Sequence, residues 1–425
     1  MEGFAPTSRA AKQLEQAGIH AGTLQGFLVR PQHTESNSTE THFFFIDESS
    51  LASTNQVQEF LRHLGPHDRV LLIGDTRQHQ AVEAGRPFQQ LQEAGMRTAT
   101  LDEIVRQKDP ALKAAVEALA HGQTAAAIES LQDRGKVREI ADPQERIRTI
   151  ARDYVTSPEH TLIVSPDNAS RRELNQAVRH ELKVLGMLGS NDHTFRVLLP
   201  RQDMTGAERA WASRYQMEDV VRYARGSKLL GIEAGSYATV AAINPADNVL
   251  TVQKPNGGEV SYDPRRLTGV SIYHEAELPF SVGERIQFTA PDKLLGVANR
   301  ELGTVEAIDA KGNISLRLED NRTLRFSASE HRHFDHGYAV TSHSSQGLTA
   351  DRVLINIDTT ASANLINSRF AYVAISRASL DAEIYTNDSS GLGQKLAQDV
   401  AKTTAVEFSP SPIDTTADVG FGQTV

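Results

Sequence analysis

The chain has 425 residues, more than one typical domain, and 39% of them are hydrophobic, enough to bury cores in two or three units. It contains no cysteine, which excludes disulfides and thiolate metal sites, and its formal net charge of −10 argues against a globally basic nucleic-acid coat while leaving room for a local basic groove. No apolar run is long enough for a membrane span, and the opening MEGFAPTSRAAK lacks a basic-then-apolar signal pattern. A cytoplasmic protein without membrane insertion is expected.

Residues 5–17 begin with APTS, a strand end turning into a helix at Thr7 or Ser8. Residues 22–28 read as a short strand or helix start, and the polar stretch 32–41 as a loop. The sequence HFFFIDESS at 42–50 carries the strongest signal. Phe43, Phe44, Phe45 and Ile46 form a continuous apolar run, as a buried parallel strand does, and Asp47 and Glu48 follow at its carboxyl edge. An acid there can hold Mg²⁺ through water and phosphate oxygens, and a second can polarise an attacking water. Alone, the same letters also describe an ordinary strand ending in a polar turn. A helix is expected over 54–64, then a second buried strand, VLLIGD, at 70–75. Gln78 lies just beyond it, where an amide can contact both a γ-phosphate and the attacking water. Gly85 and Pro87 punctuate the following loop.

Residues 101–107 (LDEIVRQ) form a short element with Arg106 near its end. Two amphipathic helical runs over 110–131 are separated by His121-Gly122, and a further helix covers 146–155. TLIVS at 161–165 reads as a strand, and Pro166-Asp167-Asn168 starts a helix over 171–185. From 236 to 326 short alternating segments dominate, separated by Asn244-Pro245, Asn256-Gly257-Gly258 and Lys311-Gly312-Asn313. They predict an antiparallel β insertion, expected to form a small barrel; no internal repeat is read. Buried-strand patterns return at 337–342, 353–357, 372–375 and 383–386. HGYAVTSHSSQG at 336–347 reads as a strand running into Gln346-Gly347, and AYVAISR at 371–377 as a strand ending in Arg377. An arginine so placed can neutralise charge developing on a transferred phosphoryl group, although a lone arginine is more often half of a surface ion pair. Residues 408–425 read as a disordered tail.

Taken in order, APTSRAA, FFFIDESS, LLIGDTRQ, EIVRQ, TSHSSQG and YVAISRA resemble motifs Ia, II, III, IV, V and VI of superfamily I helicases in the RecD-like branch. The nearest likeness is to the helicase part of MobF-type, TraI-like conjugative relaxase-helicases, and GERIQFTAPDKLLGVANRELGTV in the β insertion also resembles that group. The resemblance implies ATP as substrate, Mg²⁺ as cofactor and single-stranded DNA as partner, with other conjugation proteins as further candidates. It implies that Asp47 holds Mg²⁺, Glu48 activates water and Gln78 senses the γ-phosphate. Arg106 and Arg377 would contact phosphates, Arg377 as an arginine finger. Thr7, Ser8 and Arg9 would lie near the DNA path, Thr341, His343 and Gln346 would link DNA contact to the nucleotide cleft, and Gln346 and Gly347 would contact the nucleotide. Translocation in this branch runs 5′-to-3′.

The implied fold is α/β, with two RecA-like lobes and a small SH3-like β-barrel insertion. The boundaries are 1–140 for an incomplete first lobe with a helical extension, 141–190 with 335–407 for the second, and 191–334 for the insertion. One departure stands out: no G-x-x-x-x-G-K-[ST] occurs in the chain, so the family's phosphate loop, with its Lys and Ser/Thr, is not in it. A fragment with impaired ATPase activity is therefore expected, with a non-hydrolysing single-stranded DNA-binding module or a non-functional remnant as alternatives. Arg265, Arg266, Lys293 and Arg300 are candidate phosphate contacts in the insertion. His331, His333 and His336 have plausible metal spacing but no obvious acidic partner beyond Asp335, and are set aside.

Overall fold

The computed structural model describes residues 1–30, 41–80, 85–101, 103–201, 204, 208–267, 269–292 and 294–400. The loop expected at 32–41 falls almost entirely outside these residues, and the tail expected at 408–425 entirely so.

β1 (Glu2–Ala5) runs directly into α1 (Ser8–Gln16), where the Thr7 hydroxyl accepts from the Ala10 amide and caps the helix. β2 (Ala21–Thr23) and α2 (Leu24–Leu28) follow, then β3 (Phe43–Ile46). Ser53 and Gln56 close a reciprocal capping box on α3 (Thr54–Arg62). β4 (Arg69–Leu72) and α4 (Pro87–Glu93), with Pro87 in its first turn, complete the first lobe. Its strands are all parallel in the order β2-β1-β3-β4, and Phe4, Phe27, Phe44 and Phe60 pack ring against ring beneath them. β4 is an outer strand with no partner on its far side among the described residues, and Leu71 and Ile73 are 44% and 41% exposed.

The next elements are α5 (Pro110–Ala120), α6 (Thr124–Asp133), β5 (Val137–Glu139), α7 (Pro143–Tyr154), β6 (Thr161–Ser165) and α8 (Asn168–Val184), the last capped by Asp167. α5 and α6, which the sequence groups with the first lobe, place Leu112, Val116, Ile128 and Leu131 in one core with Leu162 and Ile384 of the second sheet.

The insertion contains β7 (His193–Pro200), β8 (Val220–Tyr223), β9 (Tyr237–Asn244), β10 (Val249–Gln253), β11 (Glu259–Tyr262) and β12 (Val270–Phe280), then β13 (Arg285–Phe288), β14 (Leu302–Ile308), β15 (Asn313–Leu318), β16 (Thr323–Ser327) and β17 (Phe334–His336). They form two antiparallel sheets, β11-β10-β9-β8-β12-β7 and β16-β15-β14-β13-β17. Apart from the extra β7, the two orders are the same. The register repeats as well: Val220 faces Thr239 and Arg222 faces Tyr237, as Arg285 faces Thr304 and Gln287 faces Leu302. Bulges fall at the equivalent Ala241 and Glu306, and bridges at Ser227–Ile232 and Asp292–Val297. One constant offset along the chain relates all these pairs. It also superposes Lys228-Leu229-Leu230-Gly231 on Lys293-Leu294-Leu295-Gly296 and Thr239-Val240 on Thr304-Val305. The expectation of no internal repeat is thus corrected: the insertion is a tandem duplication. Few letters survive because alternate positions of a half-buried strand need only stay apolar or polar.

The second lobe resumes with β18 (Ala339–Thr341), α9 (Ser342–Ser345), β19 (Ala350–Ile357), α10 (Ser368–Ile375), β20 (Ala378–Thr386) and α11 (Leu392–Leu396). Its sheet, β18-β6-β19-β20-β5, is again all parallel. The molecule is therefore mixed α/β with parallel sheets. Two readings need correction. The run expected as a strand ending in Arg377 is α10, because the Asn367 side chain accepts from the Arg369 and Phe370 amides and starts a helix there. The strand expected over 337–342 is three residues long and turns helical at Ser342.

Candidate nucleotide cleft between the lobes

Hydrogen bonding along β3 places the first acid: the Asp47 amide donates to the Phe4 carbonyl at 2.8 Å, extending the pairing with β1. The Glu48 amide then donates to Asp47 Oδ1 at 2.9 Å. Glu48 has φ +50°, a left-handed conformation that costs a β-carbon-bearing residue about 1 kcal/mol. Strain of this kind at a strand's carboxyl edge is characteristic of functional positions. Burial raises the carboxyl pKa of both acids, and the Asp47 charge raises Glu48 further. Arg377 and Arg106 act on Glu48 in the opposite sense.

The loop after β4 is gripped from the second lobe. Gln78 Nε2 donates to Asp75 Oδ2 at 3.2 Å, and the Tyr372 hydroxyl of α10 donates to the same oxygen at 2.9 Å. Gln346 Nε2 donates to Gln78 Oε1 at 3.3 Å. Arg369 Nη1 donates to the carbonyls of Thr76 at 2.6 Å and Gln78 at 3.2 Å. The His79 and His343 rings stack at 3.8 Å and 7°, and His79 Nε2 lies 3.0 Å from Ser342 Oγ.

Arg377 follows α10 and is 2% exposed. Its Nε donates to the Val373 carbonyl and its Nη2 to Ser376 Oγ, both at 3.0 Å. Burial and the neighbouring Arg106 charge pull its pKa down to about 10, so it remains a cation at neutral pH. Among the described residues no carboxylate comes within ion-pairing distance of it, so it is not half of a surface salt bridge. Arg106 donates to the Ser376 carbonyl at 3.0 Å, beside Gln107, which donates to the same oxygen at 3.1 Å.

A small cleft of about 30 Å³ joins this region to α1, lined by Thr7, Arg9, Glu48, His343, Gln346 and Gly347. Ser8 opens α1 alongside. Thr341 is occupied locally, its hydroxyl 3.0 Å from Ser344 Oγ. The three insertion histidines go separate ways: His331 to Asp292, His333 to the Tyr237 hydroxyl and His336 to the Pro279 carbonyl. Arg265 is held by Asp263, with Nη2 at 2.6 Å, and Arg300 donates to the His343 carbonyl at 2.8 Å. Sequence reasoning missed Asp75, His79, Arg369 and Tyr372. All four lie within or beside motifs it singled out, and a lone polar residue there carries no periodic signal.

An AAA-domain model matches residues 1–142, and a UvrD-like helicase C-terminal domain model matches residues 336–382. The multifunctional conjugation protein TraI of Escherichia coli K12 is 26% identical over 96% of this chain, which covers 26% of that protein. The ATP-dependent RecD2 DNA helicase of Deinococcus radiodurans is 36% identical over 29% of this chain, covering 18% of that protein. The chain is a homologue of the TraI relaxase-helicases and RecD helicases. It spans about a quarter of the length of the TraI protein it matches. A solved structure of two coordinating Pif1 helicases unwinding forked double-stranded DNA aligns with 93% of this TraI and RecD homologue and 83% of that chain, at 16% identity and a TM-score of 0.48. At that score the architecture rests on the strand orders given above. The two matched models end and begin on either side of the β insertion, and between them they contain Asp47, Glu48, Gln78, Arg106, Gln346 and Arg377, while Asn299 and Arg300, which also line the small cleft, belong to the insertion.

Proposed function

We propose that this chain is the DNA-motor portion of a conjugative relaxase-helicase, driven 5′-to-3′ along single-stranded DNA by ATP hydrolysis at the cleft between its lobes. The observation that carries this reading is the convergence of Asp47, Glu48 and Gln78 from one lobe with Gln346 and the buried cation Arg377 from the other. In this scheme Glu48 accepts the proton of the attacking water. Its raised pKa makes it a better base than a solvated carboxylate. Gln78, fixed by Asp75 and Gln346, orients that water. The γ-phosphorus–oxygen bond breaks as the water oxygen bonds to phosphorus, and Arg377 neutralises charge on the departing group.

The donor set suits Mg²⁺ held by one carboxylate and substrate phosphates, with Asp47 as the protein ligand. Among the described residues no group of three potential ligands forms a protein cage. The ion would supply charge neutralisation on the phosphate oxygens. No G-x-x-x-x-G-K-[ST] pattern occurs in the 425 residues, and the outer edge of β4, unpaired among the described residues, could accept a further parallel strand bearing one. Each insertion module is proposed to be a small barrel of the SH3-like kind, contributing weak single-strand contacts.

The chain assayed alone should release phosphate negligibly with single-stranded DNA present. The same chain joined to a loop-bearing segment from a relative should hydrolyse ATP, and Glu48→Gln should abolish that turnover. Turnover in the joined protein that survives Glu48→Gln contradicts the proposal.

A further inference from the structure

The duplication in the insertion exposes one residue that has departed from its counterpart. In the first module, the loop before β9 turns at Gly235, with φ +80°. The equivalent position before β14 has the same backbone conformation, φ +68°, but holds Arg300. Glycine adopts this conformation freely, whereas arginine is strained in it. The strained arginine stands where the second module meets both lobes. Its Nη1 donates to the His343 carbonyl at 2.8 Å, its own carbonyl accepts from Arg9 of α1 at 3.3 Å, and its neighbour Glu301 pairs with Lys12 at 2.8 Å. The corresponding loop of the first module bonds within itself, Ser236 Oγ donating to the Glu233 carbonyl at 2.6 Å. His343, held from behind by Arg300, stacks on His79, and Gln78 precedes His79 in the cleft.

We propose that Arg300 is a positioning residue: through it the second β module seats His343 on His79 and fixes the register of the two lobes around Gln78. The role builds on the motor reading, since it ties the second β module to the loop that carries Gln78.

The chain lacks cysteine, so Gln58→Cys and Glu173→Cys, at exposed positions on α3 and α8, give one spin-label pair across the lobes. Pulsed dipolar spectroscopy on the full chain should show a single narrow distance. Arg300→Gly relieves the backbone strain while deleting the side chain. It should keep or raise the melting temperature by a few degrees and yet broaden the distance distribution. His79→Leu should broaden it similarly, and His79→Phe, which retains a stackable ring, should not. Gly235→Arg, the mirror change, should lower the melting temperature and leave the distance as in the parent. An unchanged distance in Arg300→Gly, a melting temperature well below the parent, or equal broadening in Gly235→Arg would each overturn the proposal. The measurement involves no nucleotide turnover, so its failure leaves the hydrolysis reading standing and can be told apart from it.

Discussion

His79 shows how much of the cleft depends on single side chains. Burial holds its imidazole well below the usual histidine pKa, reinforced by the charges of His343, Arg369, Arg377 and Arg300. The sign of the consequence follows directly. Below about 6.5 the unfolded chain binds a proton that the folded chain refuses, so this site destabilises the fold as pH falls from neutrality toward the folded value. His333, drawn down to about 4 by burial and by Arg222 and Arg332, acts in the same sense. The melting temperature should therefore decline between pH 7 and pH 5. His79→Phe should make that decline shallower by removing one group from it. Differential scanning calorimetry across this range checks it, and an unaltered pH slope in His79→Phe would refute it. None of this was legible in the sequence, where His79 is one of 15 histidines and only the fold sets it against His343. The position of the acids was legible, because an apolar run ending in Asp47 and Glu48 marks both the strand and its carboxyl edge.

At the scale of elements, local signals served well where capping chemistry agreed with hydrophobic pattern. Thr7 before α1 and Asp167 before α8 each mark a helix start that the structure keeps. They failed at α10. Ala371-Tyr372-Val373-Ala374-Ile375 is apolar throughout, and a run that short satisfies strand and helix periodicities alike. The deciding residue, Asn367, sits outside the run. Asn367→Ala should cost about 1 kcal/mol of stability through loss of the cap, read by urea denaturation. In the joined, loop-bearing protein it should also lower turnover, because α10 carries Arg369 and Tyr372 onto the Gln78 loop and delivers Arg377 at its end. A variant with unchanged midpoint and unchanged rate would show that the helix start is set by packing alone. The duplication escaped sequence reading for a related reason: the preserved features are register, bulge and left-handed turns, and KLLG is the longest run of identical letters among them.

At the scale of the whole molecule, the net charge of −10 and a DNA-tracking function are compatible only if phosphate contacts are local. Many basic side chains already have partners: Arg265 is held by Asp263, and Arg322 by Asp320 and Glu301. Affinity for single-stranded DNA should accordingly be weak and steep in salt, each phosphate contact adding roughly 0.7 to the slope of log affinity against log salt. Fluorescence anisotropy with a labelled oligonucleotide measures this, and salt-independent binding would contradict it. The central claim is that the nucleotide cleft is completed across the lobes by Arg377. Its most direct test is steady-state ATP hydrolysis by the joined, loop-bearing protein with Arg377→Ala. The account predicts a fall in kcat on the order of 10³ or more with KM little changed. A kcat equal to that of the parent would contradict it.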